Sequence, residues 1–415
     1  MQTQSAPSVA APAARRLSPD LIIIAGCLIA VLTFGPRSAL GVFQIPVLQE
    51  FGWGSDTFSF AMAIQYLLWG VGQPFAGAMA DRFGSRAVLV VGTLLYAGGL
   101  ALMSVSTTPL AFDLTAGVLM GFGLSGCSFN LVIGAFSKLL PENRRSTAFG
   151  LGTAAGSFGQ FLFSPLAGAL VANAGWQTTG FIFAALMLIV VPLTAAVASP
   201  PMSAATATGP APQSFRQALA EAFGHRSYVL LVLGFFTCGF QLAFVTIHFQ
   251  KYVVEAGLDA SVGYWAFALV GIFNMAGSFG AGWLGNRVPR RWVLSFIYLS
   301  RSLVTIAFIS LPATTWSAYV FGALTGLLWL STVPPTSSLI GLMFGTRYFA
   351  TLYGFAFFSH QVGGFIGLVM SGYIREATGS YTLMWWASIA LGVASALINL
   401  PIVEKPVQRT APATA

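Results

Sequence analysis

Charged residues are scarce in this chain, where Asp, Glu, Lys and Arg together make up 7% of 415 residues. Ordinary soluble domains carry about 25%. So few charges could not cover the surface of a soluble globule of this size, which excludes a soluble enzyme. A disordered chain is excluded as well, because 56% of the residues are hydrophobic. The composition therefore predicts a helical protein that crosses a membrane many times.

Cysteine is also rare. Cys27, Cys127 and Cys238 are the three in the sequence, and each lies in an apolar run. This pattern favours small core residues over a disulfide framework or a metal-binding set. The sequence has no Gly-Lys loop for phosphate, no cluster of metal ligands and no nucleophile triad. We therefore expect no enzymatic activity, no catalytic residues, no metal and no cofactor.

Long apolar runs are what the sequence has in abundance. A membrane span needs about 20 such residues, and twelve runs meet this requirement. They predict an all-α membrane protein with twelve transmembrane helices in two pseudo-symmetric six-helix bundles. The predicted spans are 20–46, 57–80, 87–107, 111–135, 146–172, 177–198, 227–250, 261–285, 292–312, 315–341, 350–373 and 381–402.

A stretch rich in Ala, Pro, Ser and Thr separates the sixth span from the seventh. Near its end, Phe215, Leu219 and Phe223 recur at helical spacing, which predicts a short surface helix. The chain is accordingly divided into five parts. They are a cytoplasmic tail (1–19), an N-terminal bundle (20–198), a cytoplasmic linker (199–226), a C-terminal bundle (227–402) and a second cytoplasmic tail (403–415).

The formal net charge of +8 does not point to nucleic acid. With both termini inside, most of the 19 Lys and Arg residues fall on the cytoplasmic side, as the positive-inside rule requires. The first residues resemble a tail more than a signal peptide, because no cleavage site follows the first apolar run. We expect a multi-pass protein of the plasma (inner) membrane, monomeric in the lipid bilayer, with both termini cytoplasmic.

An internal repeat supports the division into six plus six spans. Residues 77–86 read GAMADRFGSR and residues 282–291 read GWLGNRVPRR, with Gly first and Arg at the sixth and tenth places in both. Two halves built alike, with binding sites between them, are typical of transporters.

The first copy of this repeat resembles the signature that the major facilitator superfamily carries between its second and third helices. The resemblance implies two bundles that rock about a central cavity. It also implies a gate: Asp81, Arg82 and Arg86 would hold the halves together in one state and release them in the other. In the second copy Asn286 replaces the acid beside Arg287, so the two gates should differ in strength.

Finer features resemble the monocarboxylate-porter-like branch of that superfamily. In the first span Arg37 follows Pro36, and residues 145–156 and 353–381 resemble the branch's fifth and eleventh helices. The branch's acidic-Gly-Trp signature is absent, since residues 18–21 read SPDL. In the eighth span Asn274 and Ser278 stand where the branch has a polar or acidic residue and an arginine.

Ionisable residues within spans are costly, so each suggests a function. Arg37 lies on a helix expected to line the cavity, where it could attract a substrate or brace the Pro36 kink. Arg301 lies on a peripheral span and is expected to bond backbone carbonyls of a neighbour. His248 is expected at the rim, and His360 either as a satisfied core residue or as a substrate contact.

Uncharged polar groups and rings complete the expected cavity, because amides match a substrate's own polar groups and rings stack on a flat face. The predicted substrate-binding residues are Arg37, Tyr66, Gln241, Asn274, Ser278, Trp329 and His360.

A secondary active transporter of a small organic metabolite follows. The missing arginine of the eighth span favours a neutral or weakly charged aromatic or amide-bearing substrate such as riboflavin. The resemblance favours the alternative, a monocarboxylate taken up with a coupling proton or by exchange. A membrane sensor that transports nothing is the minor alternative.

Overall fold

The computed structural model describes residues 17–199, 214–345 and 348–407, and these residues are almost entirely helical. Ten helical stretches are long and apolar enough to cross a membrane. One of them, Glu142–Leu193, is broken at Gly175, where φ is 81°. The helix Ser55–Phe83 adds a further long helix, so the total is twelve.

The twelve helices are labelled α1 to α12 in chain order. Their bounds are Pro19–Phe51 (α1), Ser55–Phe83 (α2), Ser85–Met103 (α3), Pro109–Leu139 (α4), 142–174 (α5), 176–193 (α6), Arg226–Glu255 (α7), Ala260–Leu284 (α8), Arg290–Ser310 (α9), Thr315–Phe344 (α10), Phe349–Thr378 (α11) and Thr382–Asn399 (α12).

Each group of six helices buries its own apolar core. One cluster of buried residues draws almost entirely on α1 to α6, and a second draws on α7 to α12. The predicted fold, an all-α membrane protein of two six-helix bundles, is therefore confirmed.

The predicted surface helix is also confirmed. It spans Phe215–Gly224, and a reciprocal pair of hydrogen bonds between Ser214 and Gln217 caps its start. Its two phenylalanines pack edge-on against rings of the C-terminal half, Phe215 on Tyr348 and Phe223 on Tyr228. The helix is therefore docked on the C-terminal bundle. The cytoplasmic tail expected at 1–19 lies mostly outside the described residues.

The two halves pack along two helix pairs, α2 with α11 and α5 with α8. Close approach in the first pair requires small residues: a Cβ at Gly364 would come within 2.4 Å of the Tyr66 ring. In the second pair, Ser164 donates a hydrogen bond to the backbone oxygen of Tyr264 over 2.8 Å. These contacts bring residues of both halves into direct contact along the two helix pairs.

Contacts between the halves are concentrated toward one end, where Gln44 and Ser59 meet His248. We call this the sealed end. At the opposite end, where α2 finishes and α7 begins, the ion pair Lys138–Asp81 stays within the N-terminal half and Arg290–Glu404 within the C-terminal half.

Candidate substrate-binding site

Arg37 lies where the regular part of α1 gives way to a short 3-10 segment. Pro36 inside the helix and the 3-10 turn Leu40–Phe43 distort the backbone on either side of it. The side chain is only 6% exposed, so the distortion places a guanidinium group inside the N-terminal bundle.

Two aromatic rings of α2 enclose this guanidinium. Its central carbon lies 4.4 Å from the centroid of Tyr66 and 4.5 Å from that of Trp69, and the Phe34 ring is 5.8 Å away. Such contacts stabilise a cation without neutralising it. Among the described residues no carboxylate forms an ion pair with Arg37, and its Nε has no hydrogen-bond partner. The site therefore holds a buried positive charge that is unpaired.

Both residues also contact the C-terminal half. Gln361 of α11 donates to the backbone oxygen of Tyr66 over 3.2 Å, and the Phe357 ring packs edge-on against Trp69 at 5.4 Å. Arg37 is thus linked to the interface between the halves through the residues that surround it.

A hydrogen-bonded chain leads from Trp69 to a break in α4. The Trp69 indole donates to Gln73 Oε1 over 3.1 Å, and Ser128 Oγ donates to the same oxygen over 3.0 Å. Ser128 has extended backbone angles and separates the two helical pieces of α4. Irregular backbone inside a membrane protein is tolerated where it is buried in protein or lines a cavity.

The second half has a matching break in α10. Helix Thr315–Leu328 stops before Trp329, and helix Val333–Phe344 begins after Thr332 with Pro334 and Pro335 in its first turn. Interrupted helices at corresponding positions of two repeats are the strongest structural indication of a transporter's binding region.

Asn274 of α8 holds the α10 break from one side. It is fully buried, its amide donates to Ser157 over 2.8 Å, and its Oδ1 accepts from the backbone nitrogen of Leu330 at 2.9 Å and from Ser278 at 3.1 Å. Asn274 therefore joins α5, α8 and α10, and its hydrogen-bonding groups are in use.

Arg301 of α9 holds the break from the other side. Its Nε donates to the backbone oxygen of Leu328 over 3.0 Å, and its Nη2 donates to the backbone oxygens of Leu328 and Trp329. The expectation that Arg301 bonds carbonyls of a neighbouring helix is confirmed. Its partners are the carbonyls that the break has freed.

Gln241 belongs to the same network and points into the C-terminal bundle. Its amide donates to the backbone oxygen of Ser388 over 2.8 Å, and its Oε1 accepts from Arg301 Nη1 at 3.4 Å. Trp329 is buried beside it, edge-on to the Phe267 ring at 5.9 Å. The structure thus brings Gln241, Asn274, Ser278 and Trp329 together around the α10 break, apart from the group formed by Arg37 and Tyr66.

His360 lies on α11 between these groups. Its Nδ1 is 2.9 Å from Gln361 Oε1, and its ring stacks on Phe357 at a centroid distance of 6.0 Å. It is 8% exposed. This position puts His360 beside the two residues that contact Tyr66 and Trp69.

The predicted gating residues all lie at the opposite end and are exposed. Asp81 pairs with Lys138 of its own half at 2.7 Å, Arg82 lies over the Phe83 ring, and Arg287 lies 3.7 Å from the centroid of Trp283. Gly84 turns the chain from α2 into α3 with φ of 88°, which explains the glycine of the signature. The two other predicted gating residues, Asn286 and Arg86, are exposed at the same end.

His248 is expected at the rim of the outer end of the seventh helix. It does lie near the end of α7 that belongs to the sealed end, but it is fully buried between the two halves. Its partners are distant in sequence: Gln44 at 3.3 Å, Ser59 at 3.1 Å and the Tyr381 hydroxyl at 2.9 Å. Only the pairing of the halves explains its burial.

Sequence reasoning also missed Trp69 and the α10 break. Tyr66 and Trp69 are three residues apart, the spacing that puts two side chains on one face of a helix. The Pro334-Pro335 pair was a visible signal for the break, since consecutive prolines cannot continue a regular helix.

Comparison with known proteins gives the family. The family model described as "Major Facilitator Superfamily" matches residues 26–368 and 255–414. The chain is 27% identical over 379 residues to an uncharacterized MFS-type transporter, YcxA, of Bacillus subtilis (strain 168), covering 89% of this chain and 91% of that protein. It is 25% identical over 384 residues to monocarboxylate transporter 13 of Rattus norvegicus, covering 92% and 88%.

Solved structures show the same fold at low identity. A D-xylose-proton symporter superposes with a TM-score of 0.73 at 16% identity, covering 92% of this chain and 98% of that one. The nucleoside transporter NupG (D323A mutant) gives 0.75 at 14% identity, covering 92% and 99%. The chain therefore belongs to the major facilitator superfamily and is a secondary transporter rather than an enzyme. Proteins named as monocarboxylate transporters are among those that it resembles.

Proposed function

We propose that this transporter carries a small organic monocarboxylate and that Arg37 binds its carboxylate. The observation that supports this most strongly is the burial of Arg37 without an ion-pair partner in the described residues. An unpaired charge inside a membrane protein is costly, so such a residue is retained for a function.

The enclosure of Arg37 suits a carboxylate. Tyr66 and Trp69 occupy the surroundings of the guanidinium carbon and leave the Nε edge without a hydrogen-bond partner. Guanidinium groups offer carboxylates two parallel N–H donors, which adds direction to the attraction. The rings fix the orientation of that fork before the substrate arrives.

Riboflavin has less support than the sequence suggested. Its recognition would need free amides, yet Gln241 and Asn274 already bond protein groups. A substrate could use them only by displacing those bonds. The relatives named as monocarboxylate transporters agree with the choice of an acid.

The remaining predicted site residues take two roles in this proposal. Four of them maintain the broken α10 of the second half: Asn274, Ser278, Gln241 and Trp329. His360 borders Gln361, which contacts Tyr66. Asp81, Arg82, Arg86, Asn286 and Arg287 form the gate of the opposite end, and they would meet the other half when that end closes.

We further infer that the sealed end faces outward and the opposite end faces the cytoplasm of a cell's inner membrane. The basic residues support this orientation, because Arg82, Lys138, Arg144 and Arg290 all lie at the opposite end. The protein is proposed to act as a monomer, with a proton as the coupling ion.

Uptake into proteoliposomes tests the substrate class. Purified protein is reconstituted, and entry of labelled lactate and labelled riboflavin is measured in parallel. Saturable uptake of lactate alone is the expected result. Saturable uptake of riboflavin alone would restore the neutral substrate, and binding of either compound without flux would favour the sensor.

A further inference from the structure

His248 is the hub of the sealed end. Its ring is fully buried and is hydrogen-bonded by side chains of both halves, Gln44 and Ser59 from the N-terminal half and Tyr381 from its own. Opening this end must separate Gln44 and Ser59 from the ring, so the charge of the imidazole bears directly on the closure.

The hydrogen bonds around the His248 ring indicate which of its two nitrogens carries a proton when this end is closed. Ser59 donates its hydroxyl proton to the backbone oxygen of Ser55, so toward His248 it acts as an acceptor from Nε2–H. The other ring nitrogen, Nδ1, then carries a lone pair. It lies 2.9 Å from the Tyr381 hydroxyl and 3.3 Å from the Gln44 amide nitrogen, and both groups can donate to it. This arrangement suits a neutral imidazole.

A second proton on the ring would disturb this arrangement. It would occupy Nδ1 and displace the hydrogen bonds that the Tyr381 hydroxyl and the Gln44 amide nitrogen can donate there. Losing such bonds in a buried place costs about 1–3 kcal/mol for each group left unsatisfied.

The charges around the ring give the imidazolium no partner. On α7, Lys251 lies one turn away and donates to Ser55, and Glu255 pairs with Lys251 at 3.6 Å and with Arg375 of α11 at 2.8 Å. Glu376 of α11 accepts from the backbone nitrogen of Ser55.

In the described part of the chain, the other helices that pack near the His248 ring provide no negative charge in contact with it. On α2, Asp56 accepts from the backbone of Thr57 and is exposed. The end of α1 contributes the uncharged Gln44, and the start of α12 contributes Tyr381. None of these carboxylates is hydrogen-bonded to the ring, and Lys251, one turn away on α7, carries a like charge.

We propose that His248 is a proton-binding site that controls the sealed end, which closes only over the neutral imidazole. When the end opens, the ring meets water, where histidine takes up a proton between about pH 6 and 7. A proton that His248 binds from the water at this end then holds the sealed end open. The protein is thereby kept in the state that can bind substrate from that side. This inference concerns closure alone and stands whichever solute is carried.

Distance measurements between spin labels across the sealed end test the proposal. Thr107 and Ala313 are exposed on the two halves at this end, and each would be replaced by cysteine for labelling, after Cys27, Cys127 and Cys238 have been replaced. Distances are recorded in lipid nanodiscs from pH 8 to pH 5 without substrate. We expect the ratio of open to closed protein to rise by up to about tenfold for each unit of falling pH, as uptake of one proton by the open state requires.

Matched variants identify the titrating group. His248→Gln should remove the pH response, whereas His225→Gln, a histidine at the opposite end of α7, should keep it. Tyr381→Phe deletes one of the two donors to Nδ1 and should move the midpoint to higher pH, a result that does not depend on the stability of the His248 variant. A distance distribution independent of pH in the unmodified protein would overturn the proposal. So would an unchanged pH response in His248→Gln, or an unmoved midpoint in Tyr381→Phe.

Discussion

Two arginines are buried in the membrane helices, and their surroundings differ. Arg301 in the C-terminal half donates to Leu328, Trp329 and Gln241, which makes it part of the framework of α10. Arg37 in the N-terminal half touches rings, and its Nε has no partner.

The difference agrees with a structural role for Arg301 and with the proposed role of Arg37 in binding a carboxylate. A guanidinium with its donors in use can be removed only by leaving carbonyls unsatisfied, so its loss should be felt in folding. Replacing a guanidinium that has ring contacts but no ion-pair partner leaves no protein group unsatisfied, so the change should lower stability less and should be felt mainly in binding. The two halves are alike in fold, yet these two arginines have different surroundings in them.

The largest effect is expected for Arg301→Gln. The change leaves the oxygens of Leu328 and Trp329 without their donor and should lower the free energy of unfolding by about 3 kcal/mol or more. Unfolding in mixed detergent, followed by circular dichroism, measures it. Arg37→Gln is the matched comparison and should lower this free energy by only about 1 kcal/mol, because it removes the contacts with the Tyr66 and Trp69 rings but leaves no carbonyl unsatisfied. If both variants lowered the free energy of unfolding equally, the two arginines would not differ in their structural roles.

Asn274→Ala should come next. It removes the acceptor of the Leu330 backbone nitrogen and the donor to Ser157, at a cost of about 2 kcal/mol. The same unfolding assay applies, with Asn130→Ala at an exposed position of α4 as the control. If Asn274 instead served only to bind substrate, its variant would unfold like the wild type and lose affinity alone.

Asp81→Asn should have the smallest effect on stability. Its pair with Lys138 is exposed, and exposed pairs contribute about 0–1 kcal/mol. Cysteine labelling from each side of the membrane should nevertheless show a shifted balance of the two carrier states if Asp81 closes the opposite end. Asp20→Asn removes another exposed pair at that end, with Arg144, and should leave the labelling unchanged. If Asp81→Asn labels in the same way as Asp20→Asn and the wild type, Asp81 does not act as a gate.

Much of the fold could be predicted from the sequence because its main determinant is local. An apolar run of about 20 residues must cross the membrane wherever its neighbours lie. The surface helix at 215–224 could be predicted for the same reason, because its amphipathic pattern is local. The carbonyl contacts of Arg301 could be predicted because a buried guanidinium needs hydrogen-bond acceptors nearby.

The site was harder to predict because it depends on the rotation of each helix and on contacts between distant segments. Gln241 is predicted to bind substrate, yet its side chain turns toward α12. His248 meets Gln44 and Ser59 only after the halves pair. A single sequence carries no signal for either fact, whereas the Pro334-Pro335 pair did carry one for the α10 break.

Equilibrium binding to Arg37 variants tests the central claim most directly. Labelled lactate is titrated against purified wild type, Arg37→Gln and Arg37→Lys, after each has been shown to be folded by its unfolding transition. We predict that Arg37→Gln weakens binding at least about 30-fold, equivalent to about 2 kcal/mol, and that Arg37→Lys recovers part of the loss by restoring the charge without the fork. Wild-type affinity for lactate in a folded Arg37→Gln protein would contradict the account.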